Sequence, residues 1–571
     1  MRNPTERTTL YLNSIHIQQA NIGGSMSILG LRRSALIVVG LAGVLLGACT
    51  SEKIVFRQPF NPPPDANNKF LGYFSSSDKQ TACGNCHVEK QADWATTKHS
   101  QAWEDLIASG HQAPSCNGCH TVSENGNAAA APAGYNAVAD TVYQDVQCES
   151  CHGPGYDHAS SPTLQNRPLA QVSVPTDPAA WDASATCGSC HTGDFSPFVE
   201  QWSQSAHART VTEVIDEYVA DPVGEASCLA CHEGRNVLRA WGVTTNYVEA
   251  NEAVTEANAM PTTCAVCHDP HAKDHEGQLR FAIDNPDPSQ NLCMKCHNRR
   301  IEPQATSARG PHAPQGGVLM GTAGWWPAGY DTTAVIATHG NPSVNKRLCA
   351  GCHVAPFTVT GASGNVVFQS VGHLFNPDPC LDAEGKPLAD NSCPHPGEPT
   401  YVAGSRKFNG CSASGCHSSE TAAENAFNAN RNILRTLADQ LWMDANGNQV
   451  LYDTTTATDP GGSGLPSAFD PGDTGLLTQV PVGEFNYKDK QITTAEGVLF
   501  NLRLIAEGRY ANGDGSFGVH NPFLAQSLMT ASIDALKASY GLSVSPRVQA
   551  ILDRVNSQVL RQRAQVSSVG R

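Results

Sequence analysis

The chain is expected to be mainly α-helical and irregular coil, with little sheet and with an interior filled by something other than side chains. Three observations predict this. Only 40% of the 571 residues are hydrophobic and 7% aromatic. Gly (50) and Pro (36) are frequent enough to punctuate almost any long element, so side chains alone build a thin, loop-rich core. Finally, 16 of the 21 cysteines fall in eight copies of one five-residue pattern, and a pattern that dense leaves room only for short elements between copies. The formal charge of −16 argues against a nucleic-acid partner, which normally requires a basic footprint.

The pattern is Cys-x-x-Cys-His. It occurs at Cys83/Cys86/His87, Cys116/Cys119/His120, Cys148/Cys151/His152, Cys187/Cys190/His191, Cys228/Cys231/His232, Cys264/Cys267/His268, Cys293/Cys296/His297 and Cys349/Cys352/His353; these are motifs 1 to 8. Two thiols three residues apart add across the two vinyl groups of a haem, and the following imidazole becomes the proximal iron ligand. Zinc sites need paired half-sites and no fixed trailing histidine, and CxxC disulfides have no use for that histidine either. Cys411, Cys416 and His417 keep the essential Cys-His pair with four residues between the thiols. They are taken as motif 9, giving nine covalently attached haem c groups. Of the other three cysteines, Cys380 and Cys393 are expected to form a disulfide in an oxidising compartment, and Cys49 follows the signal peptide described below.

Nine irons with imidazole on both sides need nine further histidines. Eleven remain once His16 in the leader is set aside. Eight are read as distal ligands: His99, His111, His158, His207, His271, His312, His373 and His520. Trp94-x4-His99 and Trp202-x4-His207 repeat one another, and His520 precedes Asn521-Pro522 at a helix entrance. His275 reads as a solvated loop residue. His339 and His395, flanked by Gly or Pro, are left open. Two strong-field ligands keep an iron closed to substrate and ready to gain and lose an electron.

These contexts, over about 83–530, resemble the multihaem cytochromes related to hydroxylamine oxidoreductase and the tetrahaem cytochrome of ammonia oxidisers. They also resemble the larger haem-wire proteins of metal-reducing bacteria. The resemblance implies electron transport across the cell envelope between redox protein partners, with an outer-membrane porin or an extracellular acceptor among the candidates. A haem enzyme acting on a small nitrogen or sulfur compound at one open iron is the alternative, and a filament subunit a lesser one. The Cys-x-x-Cys-Lys variant that marks the open haem in nitrite-reducing relatives is absent, so the chain reads as a carrier with no catalytic residue.

Residues 26–48 carry Arg32 and Arg33 ahead of an apolar stretch over 35–48, too short to span a bilayer and right for a signal peptide. Leu46-Gly47-Ala48-Cys49 resembles a bacterial lipobox, which implies lipid on Cys49. Thr50 lacks the aspartate that would retain the protein at the inner membrane. An outer-membrane lipoprotein facing the periplasm or the cell surface is therefore expected. Met26 reads as the start, which makes 1–25 a leader with no role in the fold. Residues 49–75, with Pro62–Pro64, read as a tether.

Motif histidines recur at intervals of 29 to 41 residues from His87 to His297, then after 56 and 64 residues. Residues 76–300 are thus read as a seven-haem domain, 301–420 as a two-haem domain and 421–571 as a helical, haem-free region. In that region 421–442 has a helical period. Thr493 and Glu496 form a capping box ahead of Val498, Leu499, Leu502 and Ile505. Asn521 and Pro522 launch a helix with Leu524, Leu528, Ala531 and Ala535 on one face. Asp444, Asn446 and Asn448 read as a plain turn rather than a calcium loop.

Overall fold

A computed structural model describes residues 61–170 and 187–569, apart from 195, 213, 223–225, 244–252, 272–273, 307–308, 331–336, 389–392, 394–401, 403, 414, 444–471, 487–488 and 506–512. The leader, the signal peptide, Cys49, His395 and the 444–448 turn lie outside the described residues.

From Cys83 to Ala413 the described helices are no longer than seven residues and are joined by irregular chain. Two small sheets accompany them. Strands β1 (Tyr73–Ser75) and β2 (Gln80–Thr81) pair antiparallel, as do β3 (Phe357–Thr360) and β4 (Val366–Ser370), with Phe357 opposite Ser370 and Val359 opposite Phe368. The mainly helical class expected from the composition is the one observed. Apart from Val318 and Ala323, the described buried apolar side chains before Glu420 gather in small groups, such as Phe70, Val122, Ala133 and Tyr143, or Val199 and Trp202.

The large apolar core lies elsewhere, among helices α1 (Glu420–Leu441), α2 (Thr494–Ile505), α3 (Pro522–Tyr540) and α4 (Pro546–Val569). The start signals act as the sequence suggests. Ser419 caps α1 by accepting from the Ala422 amide. Thr493 and Glu496 bond reciprocally, the Thr493 amide to Glu496 Oε2 at 3.0 Å and the Glu496 amide to Thr493 Oγ1 at 3.1 Å. The Asn521 side chain accepts from the Leu524 amide, with Pro522 next in the first turn.

Two expectations need correction. Helix α3 does not bury one face only: Leu524 to Ile533 are buried all round, enclosed by α1, α2 and α4 together with Val318 and Ala323. The apolar surface it needs comes from neighbouring helices. Its polar residues are satisfied inside the bundle, Ser527 donating to the Phe523 carbonyl (2.6 Å) and Ser532 accepting from Asn501 Nδ2 (3.0 Å). Second, the stretch read as tether to residue 75 is folded from Asp65 onward. Phe70, Leu71 and Tyr73 are buried, the Tyr143 hydroxyl donates to the Phe70 carbonyl (2.7 Å), and Asp65 accepts from the Gly134 amide (2.8 Å).

Cys380 and Cys393 form a disulfide with Cα atoms 5.2 Å apart. Among the described residues no helix is long and apolar enough to cross a membrane.

Candidate haem-binding array

Most of the motifs are single helical turns. The histidine amide donates back to the carbonyl of the first cysteine in motif 1 (3.0 Å), motif 4 (3.0 Å), motif 5 (3.1 Å), motif 6 (2.9 Å), motif 7 (2.9 Å) and motif 8 (2.9 Å). A three-residue step on such a turn sets both thiols on one side. Motif 9 accommodates its two extra residues with a local bend. Cys411 lies in the helix Asn409–Ala413, and Gly415 then takes φ +76° with its amide on the Ser412 carbonyl (3.0 Å). Only glycine adopts that conformation without cost.

Folding brings seven motif histidines against seven histidines from distant parts of the chain. Ring centres are 6.2 Å apart for His191 and His99, 6.1 Å for His152 and His271, 6.1 Å for His297 and His207, and 6.1 Å for His232 and His312. They are 6.2 Å apart for His268 and His373, 6.2 Å for His417 and His339, and 5.9 Å for His353 and His520. Every pair joins one motif histidine to one outside any motif. A metal ion with an imidazole nitrogen about 2 Å away on each side separates two ring centres by roughly this much.

The second ring nitrogen is engaged in most of these residues. Nδ1 lies 2.8 Å from the Phe375 carbonyl in His353, 2.6 Å from that of Gly277 in His268, 2.6 Å from that of Val519 in His339 and 3.2 Å from that of Pro168 in His152. In His232 it meets the Thr210 carbonyl (2.9 Å), and in His297 Gln315 Oε1 (3.3 Å). An Nδ1–H held by a carbonyl fixes the tautomer that leaves the Nε2 lone pair free for a metal. Carboxylates take this role twice. His520 Nδ1 lies 2.6 Å from Oδ1 of the buried Asp514, and His271 Nδ1 lies 3.5 Å from Asp269 Oδ1. The buried Nδ1 of His312 has no hydrogen-bond partner among the described residues.

In ten of them burial favours the neutral form that a ligand must have. It pulls His191, His312, His353 and His373 down to about 4 and His207 to about 3. It also lowers His99, His152, His268, His297 and His339. For His520 burial acts in the same direction, but the Asp514 carboxylate outweighs it and holds the ring above its ordinary value. Burial also pushes Glu149 and Glu496 up to about 7.

Sequence reasoning missed several supporting residues. Glu149, inside motif 3, is buried, and its carboxylate accepts from the amides of Leu71 (2.9 Å), Gly72 (2.7 Å) and Gly155 (2.7 Å), clamping the motif to the segment that leads into β1. Glu233, next after His232, caps the helix Gly234–Ala240 and pairs with Arg235 at 2.7 Å, both fully buried. His339, left open from sequence, faces His417. Glu149 and His339 have partners remote in sequence, and although Glu233 and Arg235 are only two residues apart, no local pattern announces that the pair is buried. Among the described residues no imidazole faces His87 or His120, nor any of His111, His158 and His275. His111 is exposed, and His158 Nδ1 lies 3.2 Å from Asn166 Oδ1.

Two family models match parts of the chain: cytochrome c554 and c-prime over residues 82–153, and the doubled CXXCH motif over residues 256–302. Among solved structures the chain is similar to the outer cell wall cytochrome OcwA, at 17% identity and a TM-score of 0.45, covering 82% of this chain and 100% of that one. No curated protein matches the chain. The repeated motif and the two family matches define a multihaem c-type cytochrome with covalently bound haem c.

Proposed function

We propose that the chain is a nonahaem cytochrome that carries electrons across the cell envelope as an outer-membrane lipoprotein anchored at Cys49. The observation that carries this reading is the set of seven imidazole pairs, each joining a motif histidine to a remote one at 5.9–6.2 Å. His87, His120, His152, His191, His232, His268, His297, His353 and His417 serve as proximal ligands. His99, His207, His271, His312, His339, His373 and His520 serve as distal ligands, and His111 and His158 complete the distal set. The haem supplies one-electron chemistry; the chain supplies attachment, axial ligation, spacing and burial. The excess of acidic residues favours positively charged redox partners and makes their association salt-sensitive.

The intact mass should exceed that of the polypeptide by nine haems, and reductive titration should consume nine electrons per chain. Cys416→Ala should lower both counts by one. Eight haems in the wild type, with Cys411 and Cys416 joined as a disulfide, would remove motif 9 from the array. A reductive titration well short of the haem count would remove the carrier function.

A further inference from the structure

The cysteines of different motifs lie against one another. Cys83 lies near Cys148 and Cys119 near Cys190; Thr81, just before motif 1, has its Oγ1 3.8 Å from Cys148 Sγ, and Cys119 Sγ is 3.9 Å from the Ser189 carbonyl inside motif 4. Cys187 lies near Cys264, Cys231 near Cys296 and Cys293 near Cys349. Cys151 lies beside Cys187 and Cys190, Cys267 beside Cys293, and Cys352 beside Cys416. Each cysteine fixes one edge of its own haem, so each contact sets two haems edge to edge. The contacts connect motif 1 to 3, 2 to 4, 3 to 4, 4 to 6, 5 to 7, 6 to 7, 7 to 8 and 8 to 9. All nine motifs are joined, and the order is not that of the chain.

Other contacts give the same connections. The Phe198 ring stands between His191 of motif 4 (5.7 Å) and His373, which faces motif 6 (4.8 Å). Phe375 stands between His373 (5.6 Å) and His207, which faces motif 7 (4.4 Å), and its carbonyl meets His353 of motif 8. Arg299, two residues past motif 7, reaches Cys231 of motif 5 at 3.5 Å.

The arrangement also repeats. The Trp94 indole donates to the Val146 carbonyl and the Trp202 indole to the Thr262 carbonyl, both at 2.9 Å, in each case two residues before the first cysteine of motif 3 or motif 6. Three residues past His99 the Ala102 carbonyl holds His120 of motif 2 (2.8 Å); three residues past His207 the Thr210 carbonyl holds His232 of motif 5 (2.9 Å). His99 faces motif 4 and His207 faces motif 7. The unit built by motifs 1–4 thus recurs in motifs 4–7, with motifs 2 and 5 in equivalent lateral positions. Of the eighteen motif cysteines, Cys86 and Cys416 are exposed, and they belong to motifs 1 and 9.

Resting on the electron-carrier reading, we propose that the array is a branched conductor. Its trunk runs through motifs 1, 3, 4, 6, 7, 8 and 9, with exchange with partners at motifs 1 and 9. Motif 2 is a side branch on motif 4, and motif 5 a side branch on motif 7.

The test injects one electron at motif 1 and asks which site fills first. Val88, 65% exposed and adjacent to His87, is changed to Cys and labelled with a ruthenium(II) photosensitiser. The excited complex is oxidised to ruthenium(III), and one ferric iron in the chain becomes ferrous. A trap is placed in separate variants by changing one distal histidine to methionine, which raises the potential of that site and gives it its own absorbance band. His99→Met marks motif 4, His207→Met motif 7, His312→Met motif 5 and His339→Met motif 9. The trap at motif 4 should fill first and that at motif 7 next, with those at motifs 5 and 9 later than motif 7. Filling of motif 5 before motif 7, as chain order would give, overturns the branched path, as does filling at a rate independent of trap position. An electron that never leaves the injection site in any variant overturns the carrier reading itself. Injection from Val402→Cys, also 65% exposed and on the segment leading to motif 9, repeats the comparison from the far end, and motif 7 should again fill before motif 5.

Discussion

His520→Ala should convert one low-spin haem to high spin and open it to one equivalent of carbon monoxide. His520 lies 103 residues past His417, the last motif histidine, yet its ring centre is 5.9 Å from that of His353. The residue is held from three sides. Its amide donates to Ser516 Oγ (3.1 Å), its Nδ1 to buried Asp514 (2.6 Å), and Asn521 caps α3 immediately after it. Such a shell leaves the ring one direction to point, towards motif 8. Removal of the ring also strips the buried Asp514 carboxylate of one partner, leaving the Ser516 hydroxyl, and such a loss typically costs about 1–3 kcal/mol. The α1–α4 bundle should therefore become more open to proteolysis as well as losing the ligand. Asp514→Asn separates the two effects, since it should leave the haem low-spin. If His520→Ala matches the wild type in visible spectrum and carbon monoxide uptake, His520 is not a ligand.

Arg235→Met should destabilise the fold by roughly 3–5 kcal/mol, because it leaves Glu233 buried and charged without its partner. The Arg235 Nε–Glu233 Oε1 distance is 2.7 Å, and the side chains are 1% and 0% exposed. The guanidinium also reaches the Asn258 carbonyl (3.0 Å), while the other carboxylate oxygen accepts from the Asn236 amide (3.0 Å). The pair thereby ties the residue after His232 to the segment leading to motif 6. Adding Glu233→Gln to Arg235→Met should recover most of the loss, since no unpaired charge then remains. Equal melting midpoints for Arg235→Met and wild type would show that the pair carries no such weight.

The parts of the array legible in the sequence are those whose chemistry is local. Two thiols and an imidazole within one helical turn form a signature that needs no tertiary knowledge. So do the capping box at Thr493 and the Asn521-Pro522 entrance, where the partners lie three residues apart. Distal partners are a different matter. His99 meets a residue near position 191 and His271 one near 152, and only the folded path decides such pairings. The residues flanking His339, Gly340 and Pro342, describe a loop and nothing more; its position depends on the Val519 carbonyl, far along the chain. The burial of α3 on every side was likewise hidden. Leu524, Leu528, Ala531 and Ala535 do mark a face, but Ser527, Thr530 and Ser532 look solvated until their bonds inside the bundle are seen.

The central claim is that imidazole pairs close the irons of this array to substrate and leave them as electron carriers. An electron paramagnetic resonance spectrum of the oxidised protein tests it most directly. The account predicts low-spin ferric signals throughout, integrating to nine irons per chain when spin-coupled pairs are included. High-spin signal from any of the seven motifs whose histidines face His99, His207, His271, His312, His339, His373 and His520 would contradict it.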